Sequence, residues 1–243
     1  MFLPLHDDTP LKVIRFQFVT VAIIALNIVI FLLTNVFSTD VIKASVQSGF
    51  GVTPAAILNS SLTPSHLLQP FTLLTSLFVH GGWMHLIGNM LFLWVFADNV
   101  EDAYGYVGFI FFYVLTGVIG GLTHVLMSPA SHNPLVGASG AVSGVLAAYL
   151  VLYPRARVWI LLFLRIPVPL PAIWVLGGWF LIQVYSLAAA EAGAEVAWWD
   201  HMGGFATGLV LTLALRQRLL SKPNGRNSPA DAAPRIDYEG PAD

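Results

Sequence analysis

The segment that decides the fold is GASGAVSGVLAAYLVLY, residues 137–153, an apolar run that opens on a serine between glycines. Pro154 and Arg155 follow it, so the run predicts a helix from Ser139 to about Tyr153. At about 1.5 Å per residue this helix is roughly 22 Å long, shorter than the roughly 30 Å hydrocarbon core of a bilayer. With its charged end at the interface, its Ser139 end lies inside the membrane, where irregular backbone requires surrounding protein or a water-filled cavity.

The composition of the whole chain places this helix in a membrane protein. Of the 243 residues, 56% are hydrophobic and only 10% are charged, against roughly 25% charged residues in soluble domains. The length allows about six spans of roughly 20 residues with short connections. The net charge of -2 gives no reason to expect a nucleic-acid partner, and the absence of cysteine excludes disulfides, thiolate nucleophiles and cysteine-bound metals.

Five further apolar segments complete the expected set of six spans. Together with the helix at 139–153, they lie at about 18–36, 83–97, 106–127, 170–190 and 201–215. Residues 44–82 are interrupted by prolines and glycines, and they predict a long loop at the membrane interface. The predicted fold class is therefore an all-α membrane protein, a bundle of six transmembrane helices in which helices four and six are short.

Three regions are expected along the chain. A cytoplasmic N-terminal segment covers residues 1–17, the six-helix membrane domain covers 18–217, and a disordered cytoplasmic tail rich in proline, asparagine, serine and aspartate covers 218–243. Asn35-Val36-Phe37 does not resemble a small-residue cleavage site, so the first span is interpreted as a retained signal anchor.

The basic residues orient the predicted bundle. With six spans and the amino terminus inside, Lys43 alone among the 11 Lys and Arg residues falls on the outer side, which agrees with the positive-inside rule. This orientation opens the beginnings of helices two, four and six, with His85, Ser139 and His201, towards the outer face. Both termini are then cytoplasmic, and the absence of an Arg-rich, acid-poor transit segment before Phe18 favours a bacterial plasma membrane.

Ser139 and His201 are the candidate nucleophile and base. A serine hydroxyl needs a neighbouring base to become a nucleophile, and an ionisable side chain inside a bilayer is a functional candidate by default. Gly204 and Gly208 share a helix face with His201 and admit close approach to the small residues of helix four. We therefore expect the Ser139 hydroxyl to lie within hydrogen-bond reach of an imidazole nitrogen of His201.

His85 and Asn89 are the candidate oxyanion donors. They are four residues apart, so they share one face of the second helix and can direct donors into the same cavity. The backbone N–H of Ser139 adds a third donor at a helix beginning, where the helix dipole favours negative charge. Donors placed where a tetrahedral oxyanion forms are what acyl transfer requires.

In this combination the chain resembles the rhomboid family of intramembrane serine proteases, over about residues 15–217. The resemblance is carried by four motifs in the family's order. They are His85-Leu-Ile-Gly-Asn89 for His-x-x-x-Asn, Glu101-Asp-Ala-Tyr-Gly105 for a Glu and a Gly after the second helix, Gly137-Ala-Ser139-Gly140 for Gly-x-Ser-Gly, and His201-Met-Gly-Gly204 with Gly208 for His-x-x-Gly-x-x-x-Gly.

The resemblance implies a six-helix rhomboid-like bundle and a Ser139/His201 dyad without a third acidic member, with His85, Asn89 and the Ser139 N–H as oxyanion hole. The structural positions it implies are Gly137, Gly140, Gly204, Gly208 and Glu101. The implied partners are single-span transmembrane protein substrates and membrane lipids, with no nucleic acid, metal or cofactor. The fifth helix and the loop beyond it are expected to act as substrate gate and cap, and they carry Trp174, Trp179, Trp198 and Trp199.

Three positions depart from the family pattern. Phe71-Thr72 stands where many members have Trp-Arg, so arginine-centred bonds in the first loop are not expected. Ser143 stands where some members place an aromatic ring against the catalytic histidine, so His201 is expected to be held differently. Asp200 stands where small residues are usual, and as the immediate neighbour of His201 its side chain is expected to diverge from that of His201.

Other classes of function compete with the protease. A catalytically silent rhomboid-like protein would bind membrane clients without cutting them, but it would have no need to keep the dyad together with His85 and Asn89. A small transporter would need polar residues near the midplane and often internal repeats, and no convincing repeat is present. A metalloprotease would be expected to carry a His-Glu-x-x-His helix, and the sequence has none.

The histidines at 66, 80, 124 and 132 are interpreted as loop or interface residues.

Overall fold

The structure is a computed structural model in which residues 2–58, 69–163, 165–189 and 197–221 are described. Within these ranges the chain forms a helical bundle and a small sheet. In chain order the elements are β1 Phe2–Asp7, α1 Phe18–Phe31, α2 Asp40–Phe50, α3 Pro54–Leu58, α4 Thr72–Thr75, α5 Trp83–Tyr104, α6 Tyr106–Met127, α7 Ser139–Leu152, β2 Arg157–Leu162, β3 Ile166–Pro171, α8 Ala172–Ala189 and α9 Trp198–Leu220. A π-helical turn at Leu32–Val36 extends α1, and 3-10 turns at Gln69–Phe71 and Ser76–Phe78 flank α4.

Three helical segments of the described chain are long and apolar enough to cross a membrane: Phe18–Val36, Tyr106–Met127 and Ala172–Ala189. Each reaches about the length that a span requires, so the protein is a helical membrane protein. The apolar helix α7 is shorter, with 14 residues, close to the length predicted for it. That all six predicted spans cross the bilayer stays a prediction.

The sixth helix is longer than the sequence predicted. α9 has 23 residues, because it begins at Trp198, before His201, and continues to Leu220. Asp200 lies in its first turn, where the helix dipole favours a negative charge, and the Leu, Arg and Gln residues of its last turns are good helix formers. The prediction that helix six is as short as helix four is therefore wrong, and His201 lies within the first turn of α9 instead of opening it.

Much of the predicted loop between the first two spans is helical. α2 begins after Thr39, whose hydroxyl accepts a hydrogen bond from the N–H of Ile42 at 3.4 Å, as a helix cap does. Pro54, which suggested a loop, is the first residue of α3, where a missing N–H is tolerated. Residues 59–68 of the predicted loop and residues 222–243 of the predicted tail lie outside the described residues.

A three-stranded antiparallel sheet, in the order β1-β2-β3, makes the protein mostly helical instead of all-α. β1 belongs to the N-terminal segment, and β3 contains Pro167, Pro169 and Pro171. Since β3 is an edge strand, these prolines are tolerated where their missing N–H groups are not needed for pairing. The all-α prediction is corrected by this sheet, and α8 begins at Ala172, after the strand, instead of at Leu170.

α7 lies at the centre of the bundle. Its residues from Gly140 to Tyr149 are buried without interruption, as expected of a helix that is apolar on every face. It packs against α5, α6 and α9. The packing of α7 against its neighbours therefore fixes the place of its first residue, Ser139.

Glu101 fixes the beginning of α1 to α5. Its carboxylate is fully buried, and it accepts hydrogen bonds from the backbone N–H of Val19 at 3.0 Å, the N–H of Thr20 at 2.7 Å and the Thr20 hydroxyl at 2.6 Å. The N–H groups at a helix beginning have no partner within the helix, so Glu101 supplies one. The adjacent Asp102 accepts from the N–H groups of residues 12–14, which holds the segment before α1 to the same end of α5.

Candidate active site

The glycine face of α9 lies directly on α7. A Cβ added to Gly204 would lie 2.7 Å from the carbonyl carbon of Gly140, and one added to Gly208 would lie 2.6 Å from Cα of Gly144. No side chain fits at such distances, so the two backbones touch. This contact sets Ser139 and His201, in the first turns of the two helices, at the same end of the bundle.

That end of the bundle opens into a cavity of about 1690 Å³. The structure brings the predicted dyad and both side-chain oxyanion donors to this one site, since its walls include Ser139, His201, His85 and Asn89. Other walls come from α8 and from residues 128–136, between α6 and α7. Among the residues that the structure describes, no group of three or more His, Asp or Glu side chains is arranged to hold a metal ion.

The Ser139 hydroxyl is bonded to Asp200, not to His201. It donates to Oδ2 of Asp200 at 3.0 Å, and within the described residues no hydrogen bond joins Ser139 to His201. The dyad residues therefore share a cavity without the direct bond that the sequence predicted. The expectation that the side chain of Asp200 diverges from that of His201 did not identify its partner, which is the hydroxyl of Ser139 on the neighbouring helix.

His201 is bonded to Gln183 of α8, a residue that the sequence analysis did not single out. Nδ1 of His201 lies 2.8 Å from Oε1 of Gln183. Because an amide oxygen only accepts, Nδ1 carries the proton and Nε2 of the neutral ring is left as an acceptor. The rings of Trp179 and Trp198 flank the imidazole at centroid distances of 6.3 and 5.8 Å. The sequence feature that could have identified Gln183 is its amide, which lies within an otherwise apolar helix.

His85 and Asn89 reach the cavity from α5. The ring of His85 lies against Gly137, whose φ is 119°, and a Cβ at Gly137 would lie 2.5 Å from Nε2 of His85. Both the backbone angle and the ring contact require glycine there. Nδ2 of Asn89 donates to Nε2 of His80 at 3.1 Å, which leaves its second amide hydrogen for another acceptor. His80 lies in the connection before α5, but its side chain is fully buried. Because it is held in place, its hydrogen bond orients the amide of Asn89.

Thr72 and Ser143, the other two positions where the sequence departs from the expected pattern, each form a hydrogen bond within their own helical turn. The hydroxyl of Thr72 donates to the carbonyl of Gln69 at 2.5 Å, within its own turn. The hydroxyl of Ser143 donates to the carbonyl of Ser139 at 2.7 Å, so its hydrogen bond closes the first turn of α7 and is not made to His201. His201 is held instead by its bond to Gln183 and by the flanking rings of Trp179 and Trp198.

The four tryptophans assigned to the gate and cap divide into two groups. Trp179, Trp198 and Trp199 line the cavity. Trp174 is 73% exposed and does not line it. Residues 190–196 of the predicted cap loop lie outside the described residues.

Comparison with known proteins assigns this architecture to a family. The Rhomboid domain matches residues 68–218, which is more than half of the chain and includes every cavity residue named above. The chain therefore belongs to the rhomboid family.

Its similarity to individual relatives is moderate. It is 29% identical over 158 residues to Rhomboid protein 1, mitochondrial, of Saccharomyces cerevisiae, which covers 61% of this chain and 43% of that protein. It is 40% identical over 78 residues to Rhomboid protease GluP of Bacillus subtilis, covering 32% of this chain and 15% of that protein. It is 37% identical over 84 residues to Inactive rhomboid protein 1 of Drosophila melanogaster, covering 35% and 6%. The chain thus spans less than half the length of these relatives.

These relatives bear on activity and location. One is named a protease and another inactive, so family membership alone does not establish catalysis by this chain. The Saccharomyces relative is named mitochondrial, whereas GluP comes from a bacterium. Because the relatives differ in this way, they do not support the predicted bacterial plasma membrane. The comparisons and the apolar helices together define a rhomboid-family membrane protein.

Proposed function

We propose that the chain is an intramembrane serine endopeptidase that hydrolyses a peptide bond in or near the transmembrane helix of single-span membrane proteins. The observation that carries this proposal is the shared cavity, in which Ser139 and His201 lie with Nδ1 of His201 bonded to Gln183. That bond leaves Nε2 available to take a proton. A serine hydroxyl becomes a nucleophile beside such a base.

The reaction begins when the Ser139 side chain turns from Asp200 towards His201. Oγ attacks the carbonyl carbon of the peptide bond while Nε2 of His201 takes the hydroxyl proton. The imidazolium, still donating from Nδ1 to Gln183, then protonates the leaving amine, and the acyl group remains on Ser139 as an ester. Water from the cavity attacks the ester with His201 again as base, which releases the carboxylic acid product and restores Ser139.

Three donors stabilise the oxyanion that forms in both steps. They are the His85 ring, the amide hydrogen of Asn89 that His80 does not use, and the backbone N–H of Ser139. The last of these lies at the beginning of α7, where the helix dipole favours negative charge. Donors fixed where charge develops lower the barrier without reorganisation during the reaction.

α8 and the residues beyond it serve as substrate gate and cap. Beyond Leu176, Gln183 is the only buried residue of the described α8, so this half of the helix is lightly held and is suited to local movement. In this proposal α1 and α5–α9 all cross the bilayer, both termini are cytoplasmic and the cavity opens outward. The segments 1–17 and 218–243 then flank the membrane domain, residues 18–217.

Cleavage of a labelled single-span protein by the purified chain in liposomes tests the proposal. Wild type is expected to cut the substrate and to be labelled by a fluorophosphonate on Ser139, located by mass spectrometry. Ser139→Ala removes both signals, whereas Ser45→Ala, which alters an exposed serine of α2, retains them. If folded wild type and Ser139→Ala leave the substrate equally intact in several lipid compositions, the protease assignment fails.

The second candidate function is binding of membrane clients without cleavage. The bond between Ser139 and Asp200 favours it, because a hydroxyl engaged there is not bonded to its base. Co-purification of a single-span protein with wild type and Ser139→Ala in equal amounts, with no cleavage by either, would identify the chain as such a binding protein.

A further inference from the structure

The side chain of Asp200 contacts the nucleophile but performs no step of the reaction above. It lies in the first turn of α9 and is only 3% exposed. Its Oδ2 accepts the hydrogen bond from the Ser139 hydroxyl at 3.0 Å. A group this close to the nucleophile determines which way the hydroxyl is directed.

Two glycines on neighbouring helices make room for this carboxylate. A Cβ at Gly120 of α6 would lie 2.7 Å from Oδ1 of Asp200, and a Cβ at Gly140 of α7 would lie 2.9 Å from its Cγ. The carboxylate therefore fills the junction of α6, α7 and α9. Burying a carboxylate is costly unless it is hydrogen-bonded, and the bond from Ser139 offsets part of that cost.

The position of Asp200 directs the hydroxyl out of the cavity. The cavity walls include Ser139 and His201 but not Asp200. The hydrogen bond thus draws the Ser139 hydroxyl from the cavity into the helix junction. A hydroxyl carries one proton, so the proton that is donated to Asp200 cannot at the same time be donated to Nε2 of His201.

We propose that Asp200 is a positioning residue that holds the Ser139 side chain in a resting rotamer. In this rotamer the hydroxyl is directed away from His201, and it stays so until the hydrogen bond between Ser139 and Asp200 breaks. The proposal rests on the proposed function, in which Ser139 is the nucleophile and His201 the base. One hydrogen bond to a buried carboxyl group shifts a two-state equilibrium by about two- to tenfold. Each turnover therefore begins with rotation of Ser139 out of the junction.

The test compares two variants at this position with wild type. Asp200→Ala removes the acceptor, whereas Asp200→Asn keeps the size and leaves a neutral, weaker acceptor. Asp40→Ala, which removes an exposed acidic residue from the first turn of α2, controls for the loss of one charge. In liposomes, the rate of fluorophosphonate labelling at Ser139 is measured together with kcat and KM for a labelled single-span substrate. Thermal unfolding establishes that each variant is folded.

We expect labelling rate and kcat to rise about two- to tenfold in Asp200→Ala and by less in Asp200→Asn, because the resting rotamer loses its acceptor. KM stays unchanged because Asp200 does not line the cavity, and Asp40→Ala behaves as wild type. Folded Asp200 variants with equal or lower labelling rates overturn the resting rotamer and leave the endopeptidase standing. If Asp200→Ala does not fold, Asp200→Asn decides by the same criterion. Absence of Ser139 labelling in wild type and in every variant overturns both proposals.

Discussion

Oε1 of Gln183 and Nδ1 of His201 are joined by a hydrogen bond of 2.8 Å that connects α8 to α9. Gln183 is also the only buried residue in the second half of the described α8. The proposed base and the helix beside the cavity are thus connected through one amide group. A movement of α8 away from α9 therefore changes the orientation of His201.

Gln183→Leu removes the acceptor while nearly preserving side-chain volume. We expect kcat to fall by about 10–100-fold with little change in KM, because a misdirected imidazole loses its alignment with Ser139. Gln183→Glu retains an acceptor for Nδ1–H and is expected to recover much of the rate. Gln217→Leu, the same change at an exposed position of α9, is the control. A raised KM with unchanged kcat in Gln183→Leu would show a role in substrate entry alone.

Asn89→Ala removes a proposed oxyanion donor, and loss of one such donor typically costs about 10²–10³ in kcat. His80→Leu removes the acceptor that orients Asn89 and the ring that packs edge-on against His85 at a centroid distance of 5.2 Å. Since both proposed donors stay in place, the loss of kcat is expected to be smaller. Single-turnover cleavage by both variants, with unfolding midpoints measured beside it, separates catalysis from folding. Full turnover by a folded Asn89→Ala would exclude Asn89 from the oxyanion hole.

Gly137→Ala places a methyl group against the His85 ring at a backbone angle that L residues rarely adopt. We expect a loss of about 1–3 kcal/mol in the free energy of unfolding together with reduced cleavage, because the ring of His85 must shift. Thermal unfolding in detergent measures the first effect. Gly178→Ala has open space around its added Cβ, and it is expected to retain both stability and activity. Equal unfolding midpoints for the two variants would contradict the close contact at Gly137.

Glu101→Ala leaves three hydrogen-bond donors at the beginning of α1 without their acceptor. Each unsatisfied buried donor costs about 1–3 kcal/mol, so we expect a destabilisation of about 3 kcal/mol or more, measured by chemical or thermal unfolding. Glu101→Gln keeps one acceptor oxygen and is expected to lose less. Asp40→Asn, on exposed α2, serves as the control, and an unfolding midpoint unchanged in Glu101→Ala would refute this role.

Helical spacing together with the small residues predicted which side chains meet in the cavity. His85 and Asn89 are four residues apart, and Gly204 follows His201 by three, so each pair shares a helix face whatever the tertiary structure. The identity of the contacting faces followed from small residues, which allow helices to approach closely in a membrane. These local rules brought the four candidate residues to one site.

The bonding partners within that site could not be read from spacing. Local sequence marks Asp200 and Gln183 as polar residues in apolar surroundings, but tertiary packing alone decides which neighbour Asp200, Gln183 and His80 each reach. The sheet escaped prediction for a related reason, because β1 pairs with β2, a segment that lies far from it in the chain. Prolines are rare inside sheets, and only the pairing with β2 shows that those of β3 occupy an edge strand.

The strand order also links the first residues of the chain to α8, the proposed gate helix. β1 pairs with β2, β2 pairs with β3, and β3 runs without a break into α8. The sheet from which α8 continues is therefore built partly from residues 2–7, although the proposed dyad lies more than half the chain away from them. A tag, a truncation or a binding protein that displaces β1 acts at the base of the helix that carries Gln183.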